Sequence, residues 1–279
     1  MTTHSTDPRP VSLRQQLGSA CPVAEEQFDR VVVEAPLCIT VNDQTVSTTM
    51  RTPGHDEELA VGWVINNTEM QSRSELAAIE RAGASQLRRQ GIENPVDTVA
   101  LEIVEGIDPP VPRAYLTSSS CGVCSSDVVE AAPAPRGPLH TREWNLPLGR
   151  ILSLVDAMRE QQAMFELTGS IHAAALFDAD LELVTVREDV GRHNAVDKVI
   201  GHGFLSGFFP LTNHVLVVSG RVSYEIITKA LSAGIAGIVA VSGPTTLAVD
   251  LARASNLILV GFARDDRLNI YSGGEKVTP

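Results

Sequence analysis

The chemistry in this chain begins with two cysteines, Cys121 and Cys124, spaced as Cys-Gly-Val-Cys between Ser118-Ser119-Ser120 and Ser125-Ser126. This spacing admits four readings. A disulfide oxidoreductase uses it, but at a helix start behind the first strand of a thioredoxin-like unit, whereas here it lies mid-chain in a serine-rich loop. A structural zinc site needs two more ligands, and the sequence holds no second such pair. Cys21 and Cys38 stand isolated, Cys38 within an apolar run that suits a buried structural thiol. A zinc deaminase joins His-x-Glu to Pro-Cys-x-x-Cys. His55-Asp56-Glu57 supplies the first half, but Ser120 stands where proline belongs and about sixty residues separate the halves. The fourth reading is sulfur transfer, in which a thiolate takes up a sulfur atom as a persulfide and passes it on. That task asks for an accessible, stabilised thiolate. Three serines precede Cys121, and the N–H groups of Gly122 and Val123 can form a small anion-binding nest. On this reading Cys121 bears the sulfur and Cys124, three residues on, assists.

Two further segments suit a ligand. Ser219-Gly220-Arg221 and Ser242-Gly243-Pro244-Thr245-Thr246 each leave an expected strand and enter an expected helix. Such loops at the carboxyl ends of parallel strands bind ligands in open α/β sheets, and free N–H groups at helix starts favour phosphate. Either loop alone reads as ordinary capping; the two in tandem, with Arg221 beside them, favour an anionic ligand. Arg187 to Asn194 packs four charges, a glycine and His193 into eight residues. A charge cluster of this kind usually reads as a solvated turn, and His172, after Thr168-Gly169-Ser170, reads as a structural histidine.

The elements that position these groups follow from hydrophobic period and punctuation. Residues 31–41 and 45–50 read as strands joined at Asn42-Asp43-Gln44, and 59–65 as a helix behind the acidic Asp56-Glu57-Glu58. Residues 75–90 read as a second helix with a charged face, and 96–104 and 113–117 as strands. Residues 148–165 carry apolar side chains at helical spacing, and 173–177 and 181–187 form a hairpin around Asp178-Ala179-Asp180. From 214 to 261 strand and helix alternate, which predicts parallel pairing and an α/β layer. The Pro/Gly-rich stretch Ala132 to Pro138 reads as a mobile connection. The expected organisation is a loose tail over 1–20, an N-terminal α+β domain over 21–140 ending in the cysteine loop 118–138, and an α/β domain over 141–279.

With 279 residues, 43% hydrophobic and 20% charged, the chain is long and apolar enough for a sizeable core. A net charge of −12 argues against broad nucleic-acid binding. No apolar run reaches the length of a membrane span and residues 1–18 contain no apolar leader, so the cytoplasm is the expected compartment.

Several long motifs in fixed order resemble the FdhD family, the sulfur-carrier accessory proteins of formate dehydrogenase. They are residues 51–60 (RTPGHDEELA), the loop 119–124, residues 168–174 (TGSIHAA), residues 187–198 (REDVGRHNAVDK) and Ser219-Gly220-Arg221, within a similarity running from about 31 to 271. The resemblance implies a carrier that receives sulfur from a cysteine desulfurase on the first cysteine. It then delivers the sulfur to the molybdenum (or tungsten) bis-molybdopterin guanine dinucleotide cofactor of formate dehydrogenase. It further implies a cytidine deaminase-like α/β layer in the C-terminal half with a smaller β-rich α+β N-terminal part, no resident metal, and a homodimer. The family's cofactor-binding stretch maps to Phe262, Ala263, Arg264, Asp265, Asp266 and Arg267, with His193, Ser219, Gly220, Arg221, Ser242 and Gly243 as further candidate contacts. Arg264 and Arg267 suit phosphate, because guanidinium binds its oxygens in pairs. Two departures stand out: Ser125 replaces the usual glycine after Cys124, and Ile65 to Met70 replaces a Phe-Thr-Glu-Gly ending. The alternatives are a zinc-dependent nucleotide deaminase-like hydrolase and a non-catalytic chaperone of formate dehydrogenase. Metal analysis separates the first, and retained function in a double cysteine variant would support the second.

The Ser/Gly loops together with the implied cofactor predict that the protein binds guanine nucleotides better than adenine ones. Calorimetry with GDP and ADP checks this, and equal or absent binding of both would sink it.

Overall fold

The structure, a computed structural model, describes residues 6–14, 24–89, 93, 95–112 and 145–279. The Cys121–Cys124 loop, the expected strand 113–117 and the expected connection 118–138 lie outside these residues.

A six-stranded sheet is the central layer. Its strands are β8 (His172–Phe177), β9 (Leu183–Asp189), β10 (Val215–Val218), β11 (Gly237–Ala240), β12 (Ile258–Arg264) and β13 (Arg267–Ser272). They lie in the order β13-β12-β11-β10-β8-β9, with β10, β11 and β12 parallel and the others antiparallel. Strands β10 and β11 and the first four residues of β12 are apolar runs buried on both faces, as strands between two helical layers must be. Their side chains alternate between two cores. On one face Val215, Val217, Val239, Ile258 and Val260 meet Ile151, Leu154, Val155 and Met158 of α3 (Leu148–Glu160). On the other face Leu216, Val218, Ile238, Ala240 and Leu259 meet α5 (Arg192–Leu205), α6 (Tyr224–Ala233) and α7 (Thr246–Ala254).

The N-terminal half builds a four-stranded sheet, β4-β3-β6-β5, from β3 (Ala35–Val41), β4 (Gln44–Arg51), β5 (Leu76–Ala82) and β6 (Asp97–Ile103). Asn42 and Asp43, both at positive φ (47° and 63°), make the tight β3–β4 turn. Helix α1 (Asp56–Ile65) leaves this sheet and packs along α5. Leu37, Ile39, Leu59, Val99, Val199, Leu216 and Leu257 therefore belong to one continuous core spanning both halves of the chain.

Three elements differ from expectation. Residues 75–90 are a strand, β5, followed by the short helix α2 (Ala84–Arg89). The run Leu-Ala-Ala-Ile-Glu-Arg-Ala has good helix propensity, but pairing with β6 across Ile79↔Leu101 overrides so weak a preference. Residues 6–14, expected in a loose tail, form β1 (Thr6–Arg14), paired antiparallel with β2 (Ala24–Val32). Pro8 and Pro10 lie two apart, so their missing N–H groups fall on the same edge of that ribbon. The expected helix 148–165 breaks at Gln161-Gln162 into α3 and α4 (Ala163–Thr168). A two-residue strand, β7 (Leu146–Pro147), pairs with β14 (Val277–Thr278) beside α3.

Helices α1 and α5 touch through two glycines. A Cβ on Gly62 would stand 1.9 Å from the Asp197 carbonyl oxygen, and one on Gly201 1.9 Å from that of Glu58. Alanine gains about 1 kcal/mol of helix propensity over glycine. Overpacking against backbone, which cannot swing aside, costs about 3 kcal/mol and wins. Gly62→Ala and Gly201→Ala should each lower the stability measured by urea unfolding; an unchanged or raised midpoint would show that the helices separate freely.

Candidate functional site

The charged cluster that reads as a solvated turn and the motif at 51–60 hold one another in place through buried Arg51, Asp56, Asp189 and Lys198. Arg51, at the end of β4, is fully buried. It donates to both carboxylate oxygens of Asp56 (2.9 and 3.1 Å), to Asp97 (2.7 Å) and to the carbonyls of Ala35 and Pro36. Burial alone would raise the Asp56 pKa, but the hydrogen bonds and charge of Arg51, with Arg81, hold it below the usual carboxylate range. His55, exposed and in the left-handed region (φ 57°), precedes α1, and Glu57 is exposed as well.

Asp189, at the end of β9, is the second buried carboxylate. Lys198 Nζ lies 2.7 Å away, and the N–H groups of Thr52 (3.1 Å) and Gly191 (2.8 Å) and the Asn194 amide (2.9 Å) donate to it. Lys198 also donates to the carbonyls of Thr52 and Glu188, and Asn194 to that of Met50. The motif at 51–60 is thereby fastened to the motif at 187–198. Around it, Glu58 pairs with Arg187 and His202, and Asp197 receives Lys229 (2.6 Å) and Asn66 (2.7 Å). Asn66 belongs to the segment that departs from the family pattern. Its neighbours Asn67 and Thr68 donate to the carbonyls of Trp63 and Val64, closing the end of α1.

This network aims the start of α5 at the carboxyl ends of β10, β11 and β12. Ser219-Gly220-Arg221 follows β10, and Ser242-Gly243-Pro244 follows β11. The two loops are tied by Val222 N–H to the Gly243 carbonyl (3.3 Å) and Thr245 N–H to the Val222 carbonyl (3.0 Å). Phe262 N–H donates to the Ser242 carbonyl (3.1 Å), which brings β12 to the same edge. The Ala173 N–H donates to Ser219 Oγ (2.9 Å), bringing the start of β8 there too. His193 Nε2 meets Glu225 (2.8 Å) and Ser223 (3.4 Å) at the start of α6.

Of the sequence-derived contacts, His193, Ser219, Gly220, Arg221, Ser242, Gly243 and Phe262 therefore lie along one sheet edge. The stretch 262–267 does not present one continuous surface. Phe262 takes φ 53°, with its ring against Gly243, where a Cβ would come within 2.6 Å of it. Ala263 turns into the core, whereas Arg264, Asp265, Asp266 and Arg267 form an exposed hairpin tip. Cys121 and Cys124 lie outside the described residues. An open groove of about 400 Å³, lined among others by Arg253, Asn256, Tyr271 and Glu275, sits at the opposite end of β12, where the strand begins.

Sequence reasoning underrated His172 and Arg192. Gly220 separates them: a Cβ there would lie 3.4 Å from His172 Nδ1 and from the Arg192 Cβ and Cδ. Burial pushes the His172 pKa below its ordinary value, and the charges of Arg192 and His193 lower it further. The signal was the recurrence of histidine and arginine on three segments that topology brings together.

The site thus belongs to an α/β protein that gathers strand-end loops, helix starts and basic side chains along one sheet edge. The chain matches the profile of the FdhD/NarQ family over residues 32–278, and it belongs to that family. It is 40% identical to the sulfur carrier protein FdhD of Corynebacterium efficiens over 98% of each chain. It is also 40% identical to the protein of that name in Streptomyces coelicolor over 89% of each. A crystal structure described as a formate dehydrogenase accessory protein, from Desulfotalea psychrophila, shares the fold. The TM-score is 0.75 at 21% identity, over 98% of this chain and 100% of the other. Among the described residues no helix is long and apolar enough to cross a membrane.

Two histidines give a pH dependence. His172 and His214 have pKa values held below the ordinary histidine value, burial being the largest cause for each. The folded state then binds fewer protons than the unfolded chain. Stability is full above the unfolded value and is lost as pH falls from there through the folded values. The urea midpoint should drop as pH falls below the ordinary histidine range of about 6.5, and His172→Gln should flatten part of that slope. A midpoint that does not change over this range would contradict the assignment.

Proposed function

We propose that this chain is a sulfur carrier serving formate dehydrogenase in the cytoplasm. The observation that carries the reading is the family membership: relatives about 40% identical over nearly the whole chain bear the name sulfur carrier protein, and the Cys-x-x-Cys pair gives that name a chemistry. The Cys121 thiolate attacks the terminal sulfur of a cysteine desulfurase persulfide. The donor's S–S bond breaks, and the donor cysteine departs as a thiolate with the electron pair. Cys121 then holds the sulfur as its own persulfide. If the Cys124 thiolate attacks the inner sulfur, the outer sulfur leaves as hydrosulfide and a Cys121–Cys124 disulfide forms. Both electrons come from the cysteine pair, and a thiol reductant resets it. The acceptor is the molybdenum (or tungsten) bis-molybdopterin guanine dinucleotide, bound as substrate. The sheet edge carrying His193, Ser219, Gly220, Arg221, Ser242, Gly243 and Phe262, with Arg264 and Arg267 on the neighbouring tip, supports that assignment. We further propose a homodimer as the working unit.

Incubation with a cysteine desulfurase and cysteine, followed by mass spectrometry of the cysteine peptide, should place one added sulfur on Cys121. Cys121→Ala should abolish formate dehydrogenase activation in cells, and Cys124→Ala should weaken it less. Sulfur found only on Cys124, or full activation by the Cys121 variant, would overturn the assignment.

A further inference from the structure

We propose that α4 is a latched strap: the Glu188 carboxylate holds it to the end of β9, and on release it swings out together with the β1–β2 ribbon packed against it. The strap governs how the flank of the sheet edge opens, and it does not depend on which ligand that edge takes.

The end of β9 fastens a helix on each face of the sheet. Asp189 holds α5 with a lysine, an amide and two backbone N–H groups. Its neighbour Glu188 points to the opposite face, since successive strand residues alternate. There its carboxylate accepts from the N–H groups of Met164 (2.9 Å) and Phe165 (2.8 Å), in the first turn of α4. The two fastenings differ in strength. Lys198 is spent on Asp189 and reaches Glu188 only at its backbone carbonyl. Arg159 of α3, itself exposed, lies over the Phe165 ring at 3.8 Å.

Little else holds the strap. None of the six residues of α4 is buried, and Leu167 is 48% exposed. Backbone breaks flank it on both sides: the elbow at Gln161-Gln162, and Gly169 at φ 62°, a left-handed conformation that glycine adopts without strain. The elbow is under-satisfied. Gln162 is 4% exposed, and its Nε2 has no hydrogen-bond partner. A buried donor left unmade is costly, and release recovers that cost. Strand β2 packs against α4, and a two-stranded ribbon is marginal without such support, so strap and ribbon move as one. Glu188 lies across from Ala173, whose N–H donates to Ser219 Oγ. Release therefore opens the flank of the sheet edge and leaves the strands in place.

The strap also answers to pH. Burial lifts the Glu188 pKa above the ordinary carboxylate value, and the amides of Met164 and Phe165, with the charges of Arg159 and Lys198, pull it back only in part. From β8 the residue opposite is the uncharged Ala173. Once released, the carboxyl group faces water and titrates at its ordinary value. Latching thus takes up protons, so the strap tightens as pH falls toward the carboxylate range and loosens as pH rises.

Hydrogen exchange on the full chain, read by mass spectrometry and corrected for the intrinsic effect of pH on exchange, is the test. In the unmutated protein residues 163–168 should exchange by local opening, faster than β10, β11 and β12. Glu188→Ala should speed exchange in α4 and in the β1–β2 ribbon by about tenfold or more, leave the three parallel strands unchanged, and abolish the pH response. Gln162→Met, which removes the unpartnered amide at similar length, should slow exchange in α4, an effect that a damaged fold cannot produce. Circular dichroism melts check that the variants fold. The proposal is overturned by α4 exchanging only with global unfolding, by unaltered exchange or a surviving pH response in Glu188→Ala, by acceleration that spares the ribbon, or by unchanged or faster exchange in Gln162→Met.

Discussion

The arrangement turns on a single buried carboxylate, that of Asp189. A charge out of contact with water is tolerated only if it is paired and its lone pairs are filled. Asp189 meets that demand with a lysine, an amide and two backbone N–H groups drawn from the loop after β4, the turn after β9 and the first turns of α5. The donors come from three parts of the chain, so satisfying the charge fixes the relative positions of those parts. Removing one partner would leave an uncompensated ion, at a cost of about 3–5 kcal/mol. The same contact sets where Arg192 and His193 project, because both follow Gly191 on the helix that Asp189 holds.

The close approach of α1 and α5 completes that framework. Gly62 and Gly201 bring two backbones together, and the side chains around the crossing are polar and engaged: Glu58 with Arg187 and His202, Asp197 with Lys229 and Asn66. The N-terminal sheet is thereby joined to the central sheet by apolar burial and by directional bonds at once. Directional bonds with no slack suit a structure that must present several loops in register along one sheet edge. The substitution of Asn66, Asn67 and Thr68 for the family's usual ending keeps this role, since their amides and hydroxyl serve Asp197 and the last carbonyls of α1.

How much of this was legible in the sequence depended on the kind of signal. Strands β10, β11 and β12 and the helices between them were readable because fully buried apolar runs alternate with amphipathic ones. The β8–β9 hairpin was readable from its Asp-Ala-Asp turn. Strand β5 was not, because Ala, Glu and Arg have helical preferences and only pairing with β6 decides otherwise. The cluster at 187–194 was misread as solvated for a related reason. Charge in a sequence predicts exposure only until partners are known, and the partners of Asp189 include Thr52, 137 residues away. Arg192 and His172 were seen singly, and their convergence at Gly220 is a property of the topology.

The end of β12 shows why a site read as a continuous stretch is only partly a surface. Strand residues alternate between faces, and here a register shift between Gly261 and Arg264 adds a local turn. Phe262 enters the left-handed region, which ordinary side chains avoid, and is held there by its N–H bond to Ser242. Gly243 must be a glycine for the Phe262 ring to lie where it does. Ala263 is consequently committed to the core behind the sheet, while Phe262 and Arg264 face outward on either side of it. A ligand along this edge would meet an aromatic ring from β12, backbone and hydroxyl groups from the two glycine loops, and the basic pair across Gly220. Five chain segments supply those contacts, and they meet only because Asp189 holds α5 against the strand ends.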